Sequence, residues 1–303
     1  MLKQCLLALF FSVQVFPAFA TTMPAPKRVL TTDWTIAETM MLLGVTPIGL
    51  GQLSSYHTWV AEPQLPKSVV DIGLRSQPNR ELIAALKPDL ILISSFYATI
   101  EATLVKIAPI ASITLYAPQD DIWHRLFAAT REIAKQVGRV ERGEQLLQGL
   151  THQMQTLKQC WQPNQRDLLV VQFIDERHVR VFGKQSLFNA VIEQSGLHNA
   201  WRKETNYWGF STAALEELMP YTNATLIVVD PIPVGIANQL KTSGLWPMIP
   251  AVAENHLLHM PPVWSFGGVA SASRFANELS RLLPMQHSAL CHESEYVFSL
   301  ASN

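Results

Sequence analysis

Val69-Val70-Asp71-Ile72-Gly73-Leu74-Arg75-Ser76-Gln77-Pro78, running on through NRELIAALKPDLILI (79–93) to Ser94-Ser95-Phe96-Tyr97, is the stretch whose reading decides the fold. Val69, Val70 and Ile72 suit a strand that Gly73 ends. Gln77 and Pro78 open a helix with Leu82, Ile83 and Leu86 on one face, Lys87 and Pro88 close it, and Leu90 to Ile93 form a second, wholly apolar strand. A βαβ unit of this length predicts two parallel, adjacent strands whose following loops reach the same rim of the sheet, which makes Arg75 and Tyr97 neighbours. Alone, Arg75 reads as a surface charge and Tyr97 as a loop aromatic. On one rim, a guanidinium and a phenol suit a ligand with exposed oxygen acceptors.

Outward from this unit the chain echoes itself. The order helix, polar turn, apolar strand in 79–94 is expected again in TAALEELMPYTNATLIVVD (212–230). The helix, Gly stop and strand of 34–50 match the helix, Ser-Gly stop and apolar turn of 186–201. Two related α/β lobes with one sheet each are therefore predicted, at 21–137 and 162–303. Between them, 138–161 lacks Pro and is rich in helix formers, with Leu147, Leu150, Met154 and Leu157 on one stripe. As a helix it would be about 35 Å long, enough to join the lobes.

The first twenty residues read as a leader: Lys3, an apolar run, and Ala18-Phe19-Ala20 as a cleavage site. Cys5 lies too early for a lipid-modified N-terminus, so a freely exported, periplasmic protein is expected. Removing the leader takes Lys+Arg from 23 to 22 against 24 Asp+Glu, a net charge of −2 that gives nucleic acid no purchase. A hydrophobic fraction of 48% with 16% charged residues describes large cores. Cys160 and Cys291 survive processing. They read equally as a disulfide in an oxidising compartment or as two buried thiols.

Enzyme motifs are missing: no Gly-x-Ser-x-Gly elbow, no Gly-x-Gly-x-x-Gly, no phosphate loop and no His-Glu-x-x-His. A secreted hydrolase lacks an activated nucleophile here. His256 and His259 fall on opposite faces of an expected strand, which argues against a metal site. The positive signal is aromatic. Trp59, Tyr97, Trp208, Trp264 and Phe266 stand among Asn, Gly and Pro, in both halves, as an interlobe cleft for a bulky organic ligand requires.

Several segments carry a family resemblance: Tyr56-His57-Thr58-Trp59-Val60-Ala61-Glu62-Pro63, Asp71-Ile72-Gly73-Leu74-Arg75, Val181-Phe182-Gly183 with Ser186-Leu187-Phe188, Thr205-Asn206-Tyr207-Trp208-Gly209, and Val263-Trp264. On these the chain resembles the periplasmic iron(III)-hydroxamate (ferrichrome-type) siderophore-binding proteins of ABC importers. The resemblance implies two Rossmann-like α/β lobes joined by one long linker helix, the class III, helical-backbone type, and a monomer without a resident cofactor. It implies that Arg75 and Tyr97 hydrogen-bond hydroxamate oxygens while Trp59, Leu187, Trp208, Trp264 and Phe266 line the pocket. It further places contacts with the inner-membrane permease, which works with its ATPase, at Glu101 and Glu216. Phe266 and Ile93 stand where a tyrosine and a tryptophan occur in the family, so the wall differs in detail. The iron would be held by the siderophore, not by protein ligands. A ferric trihydroxamate is neutral, so one arginine suffices, whereas a tris-catecholate with about three negative charges would need several cations. Haem or cobalamin in the same fold is the alternative, since Tyr97 could serve haem as an axial ligand.

Overall fold

A computed structural model describes residues 28–116, 121–242, 244–286 and 291; the leader expected at 1–20 lies outside the described residues. The first sheet is built from β1 (Val29–Thr31), β2 (Gly49–Leu50), β3 (Val70–Asp71), β4 (Leu90–Ser94) and β5 (Ile110–Ile113). Helices α1 (Trp34–Leu42), α2 (Leu53–Trp59), α3 (Arg80–Leu86) and α4 (Ala98–Leu104) connect them in turn. All pairings are parallel, in the order β3-β2-β1-β4-β5. The expected βαβ unit is therefore parallel but not adjacent, because β2 and β1 lie between β3 and β4. The cause is connectivity: the chain winds outward from β1 to β3, then returns to the other side of β1. Asn79 caps α3 by accepting from the Leu82 amide at 3.0 Å, and Lys87 ends it in the left-handed conformation at φ 47° just before Pro88.

Two packed helices follow before the second sheet: α5 (Ile122–Gln136) and α6 (Val140–Cys160), separated at Gly138 with φ +67°. The Leu147, Leu150, Met154 and Leu157 stripe of α6 is buried. At Gly143 a Cβ would come within 2.6 Å of the Ala134 Cβ, so the glycine sets how closely α6 lies on α5. The Arg131 guanidinium grips Glu144 through two bonds of 2.7 and 3.0 Å.

The second sheet contains β6 (Asp167–Phe173), β7 (His178–Phe182), β8 (Phe210–Ala214), β9 (Ala224–Val229) and β10 (Leu257–Met260), ordered β10-β9-β6-β7-β8. Strands β6, β9 and β10 are parallel, while β7 pairs antiparallel with both β6 and β8. Here the expected echo fails in part. The helix predicted from 212 is instead β8 followed by a short 3₁₀ turn at Leu215–Leu218, since pairing with β7 over 210–214 outweighs local helix propensity. Helices α7 (Leu187–Gln194), α8 (Ile236–Thr242), α9 (Pro250–Ala253) and α10 (Val269–Leu282) complete this half.

The linker α6 does not stand alone. It packs on α5 from the first half and on α7 and α10 from the second, while α10 also touches α1 and α5. One hydrophobic core consequently runs from Val29 and Leu92 through Leu150 to Val229 and Phe275. The two cysteines, left open by the sequence, form a disulfide that joins the end of α6 to the segment after α10.

Candidate ligand-binding cleft

The switch in winding direction between β1 and β4 leaves a crevice outside their C-terminal ends, the place where open α/β sheets take ligands. At its floor Ser94 Oγ is buried without a hydrogen-bond partner among the described residues. A cleft of about 550 Å³ opens here, within the range of organic-ligand sites. Its lining combines Asp33, Arg75, Ser94, Ser95, Phe96 and Tyr97 from the first half with Tyr207, Trp208, Phe210, Trp264 and Phe266 from the second.

Arg75 reaches this crevice by leaning back across two strand ends. A Cβ at Gly51, just after β2, would lie 2.9 Å from the Arg75 Cγ and 3.1 Å from its Cα, so the approach requires glycine. The guanidinium carbon stacks 3.7 Å from the centre of the Trp34 ring, just after β1, and Nε donates to Gln52 Oε1 at 3.2 Å. Trp34 is itself fixed by donating from Nε1 to the Gly51 carbonyl at 2.9 Å. With Nε occupied, the two terminal nitrogens take no acceptor among the described residues and remain for a ligand. The Arg75 carbon lies 5.9 Å from the Tyr97 ring, so the expected pairing of these residues holds although their strands are not neighbours.

Tyr97 is 6% exposed and burial pushes its phenol up to about 12, with Asp33 adding to the effect and Arg75 opposing it. It is therefore a neutral hydroxyl. Arg75 is the one cation and Asp33 the one carboxylate among the described lining residues, and Asp33 is engaged as the cap of α1, accepting from the Thr35 and Ile36 amides.

The aromatic wall comes mainly from the second half. Trp208 meets Phe96 at 5.0 Å across the cleft mouth, Tyr116 at 5.7 Å and Phe266 at 5.6 Å. Gly209 makes the Trp208 turn possible: at φ +81°, its Cβ would fall 2.2 Å from the Ser186 nitrogen. The segment carrying Trp264 and Phe266 is seated on α1. Thr35 Oγ1 donates to the Phe266 carbonyl at 2.7 Å and accepts from Trp264 Nε1 at 3.1 Å. One turn further on, the buried Glu38 carboxylate accepts from the Gly268 amide at 2.5 Å and from Ser271 Oγ at 2.6 Å, at the start of α10. Two donors at a helix N-terminus favour its charged form, but complete burial outweighs them and lifts its pKa to about 7.

Of the residues expected at the site, Arg75, Tyr97, Trp208, Trp264 and Phe266 converge. Trp59 and Leu187 do not. Trp59 ends helix α2 rather than sitting in a loop, and packs half-buried with the Trp34 and Tyr56 cluster; Leu187 is wholly buried in the main core at the start of α7. Sequence reasoning missed Trp34, Phe96, Tyr116 and Glu38. Tyr116 had a legible signal, following the strand at Ile110–Ile113 as Tyr97 follows β4. Glu38 had another, as the lone charge in an otherwise uncharged helix. No group of three or more metal-ligating side chains occurs among the described residues, His256 and His259 included.

Comparison with known proteins finds relatives over most of the chain. The profile of the periplasmic binding protein family matches residues 29–263. The iron(3+)-hydroxamate-binding protein FhuD of Escherichia coli K12 is 30% identical over 259 residues, covering 85% of this chain and 87% of FhuD. A putative ABC transporter substrate-binding lipoprotein of Bacillus subtilis 168, YhfQ, is 26% identical over 86% of this chain and 84% of its own. Among solved structures, the Fe³⁺-Desferal-bound siderophore-binding protein FhuD from Vibrio cholerae superposes with a TM-score of 0.80 at 30% identity, over 85% of this chain and 97% of that one.

Proposed function

The chain belongs to the periplasmic binding protein family, and from that premise we propose that its cleft captures ferric hydroxamate siderophores and hands them to an inner-membrane ABC permease served by its ATPase. One observation carries the reading: a large aromatic cleft whose described lining holds a single free cation and a single, already engaged carboxylate. A ferric trihydroxamate is neutral and its iron is fully coordinated, so it needs stacking surfaces and a few donors but no protein ligand and no cluster of cations. Arg75 offers its two terminal nitrogens and Tyr97 a protonated phenol to the hydroxamate oxygens, while Trp208, Trp264 and Phe266 cover the apolar backbone. Trp59 and Leu187, read as wall residues, act from behind, packing the elements that carry the wall. Haem would need an axial ligand, and burial makes the Tyr97 phenolate harder to form than that of an exposed tyrosine. No helix among the described residues is long and apolar enough to cross a membrane. We further propose export to the periplasm after cleavage behind Ala20, with lobes at 21–137 and 162–303 around the linker 138–161.

Titrating the tryptophan fluorescence of the iron-free protein with ferrichrome, ferrioxamine, a ferric catecholate, haem and cobalamin tests this. Quenching by the hydroxamates alone is expected; quenching by haem or the catecholate alone would overturn it. For delivery, we assign docking to Glu101 on α4 and Glu216 on the turn after β8, both exposed and one on each half. Glu101→Lys with Glu216→Lys should keep ligand affinity and abolish hydroxamate-dependent iron uptake in cells, because two attractions become repulsions. Normal uptake would remove both residues from the docking surface.

A further inference from the structure

The cleft does not end at its aromatic wall. Past Tyr116 it continues between α1 and α5, lined by Ile36, Leu126, Ala129 and Ile133 above Ile113. These side chains belong to the core and are between 1% and 7% exposed. The recess also offers no free donor. Its two hydroxyls, on Thr39 and Thr130, donate at 2.8 Å to the carbonyls of Thr35 and Leu126 one turn back in their own helices. The Tyr116 hydroxyl turns away to the Gly267 and Ser265 carbonyls, at 3.3 and 3.5 Å, leaving its ring as a wall. Protein interiors are close-packed, and an apolar space open to a binding cleft forgoes dispersion contacts unless an apolar guest fills it.

We propose that this recess receives an alkyl or acyl arm of the ligand, so that the preferred siderophore is a ferric hydroxamate bearing an apolar chain. The inference rests on the proposed function and narrows its substrate class. Arg75 and Tyr97 hold the iron-bearing head at the rim, and the chain passes Tyr116 into the groove between α1 and α5.

The test uses ferrioxamine B acylated on its terminal amine with acetyl, butyryl, hexanoyl and octanoyl groups, titrated by fluorescence quenching. Affinity should rise about fourfold per buried methylene until the recess is full. Ala129→Leu, which fills the recess, should flatten that series while unmodified ferrioxamine B still binds. Ala129→Val should flatten it partly and serves if the leucine variant does not fold, with circular dichroism and a thermal melt checking both. Equal affinities across the series in the wild-type protein would overturn the recess assignment while leaving the proposed function standing. An undiminished series in a folded Ala129 variant would do the same by sending the chain to the rim. Failure of every ferric hydroxamate to bind would overturn the proposed function, and the recess assignment with it.

Discussion

Among the described residues the two halves of the molecule each carry five strands but build their share of the cleft by different means. In the first half every strand runs parallel, so the ends of β1, β2, β3 and β4 open on one rim and deliver Asp33, Gly51, Arg75 and Tyr97 to it. Polar anchoring there is a product of winding. In the second half β7 alone reverses direction, and the aromatic residues flank β8 and β10, the two opposite edges of the sheet. No shared rim aligns them. Trp264 and Phe266 are positioned instead by what they touch on the other half, namely Thr35 and, through Gly268 and Ser271, Glu38. The second half is also closed by the Cys160–Cys291 disulfide, which spans 131 residues and encloses its entire sheet, while the first half has no cross-link among the described residues.

That contrast is sharpest in stability. Closing a loop of this length restricts the unfolded chain by about 5 kcal/mol in the chain-entropy account. The Cys160→Ser, Cys291→Ser double variant should lose up to about that much in denaturant unfolding. A loss confined to the second half, seen as protease cleavage between β6 and α10 with the first sheet intact, would show the halves to be separable; a single cooperative transition would show the shared core binding them.

Next in size is the seat of the aromatic segment on α1. Burial holds the folded pKa of Glu38 at about 7 against an ordinary value of 4.5. Between those values the folded protein keeps a proton that the unfolded chain has released, so this residue's contribution to stability falls as pH rises from about 4.5 to about 7 and is level above. Glu38→Gln cannot titrate. Relative to wild type it should gain about 2.5 kcal/mol of stability between pH 5 and pH 8, because proton binding that differs tenfold between the folded and unfolded chain is worth about 1.4 kcal/mol. A difference independent of pH would mean that the carboxylate is charged throughout and that its two donors dominate burial.

Smaller again are the effects on binding. Arg75→Ala removes charge-assisted bonds worth about 1.5 to 3 kcal/mol and should weaken ferric hydroxamate binding by about one to two orders of magnitude. Trp208→Ala should cost about tenfold and remove much of the quenching. If the tryptophan costs more than the arginine, the division into a polar half and an apolar half has been drawn in the wrong order. Smallest is the change in shape. Because one core runs through both halves, the radius of gyration in small-angle scattering should fall by less than about 1 Å on loading. A larger drop would make the linker a hinge.

Much of the first half was legible because its signals are local. Asn79, Lys87-Pro88 and the apolar run at 90–93 fix a helix and a strand by capping and burial, and the loop after each strand brings Arg75 and Tyr97 to one rim. Strand order was less accessible, since it depends on where the chain returns. A clue lay in Asp71, whose exposure marks β3 as an edge strand, against the fully apolar Leu90–Ile93 of the centre. In the second half the determinants are distant. TAALEELM has helical propensity, yet its first residues and the flank before them pair with β7, which lies well upstream in the chain. Trp59 and Leu187 look like wall residues in a linear motif but spend their side chains on packing. The Cys160–Cys291 bond depends on the chain end folding back to the end of α6, where Gln286 donates to the Cys160 carbonyl at 2.7 Å, which no spacing encodes.

The core shared by the two halves has a consequence for traffic. A carrier that changes outline little on loading gives its receptor almost the same face whether empty or full, and an equilibrium shifts only as far as the two states differ in affinity. Empty and loaded molecules then compete for the same permease. Delivery would peak at a moderate ratio of carrier to transporter and decline when empty carrier is in excess, so abundance, rather than a conformational signal, becomes the quantity the cell has to regulate.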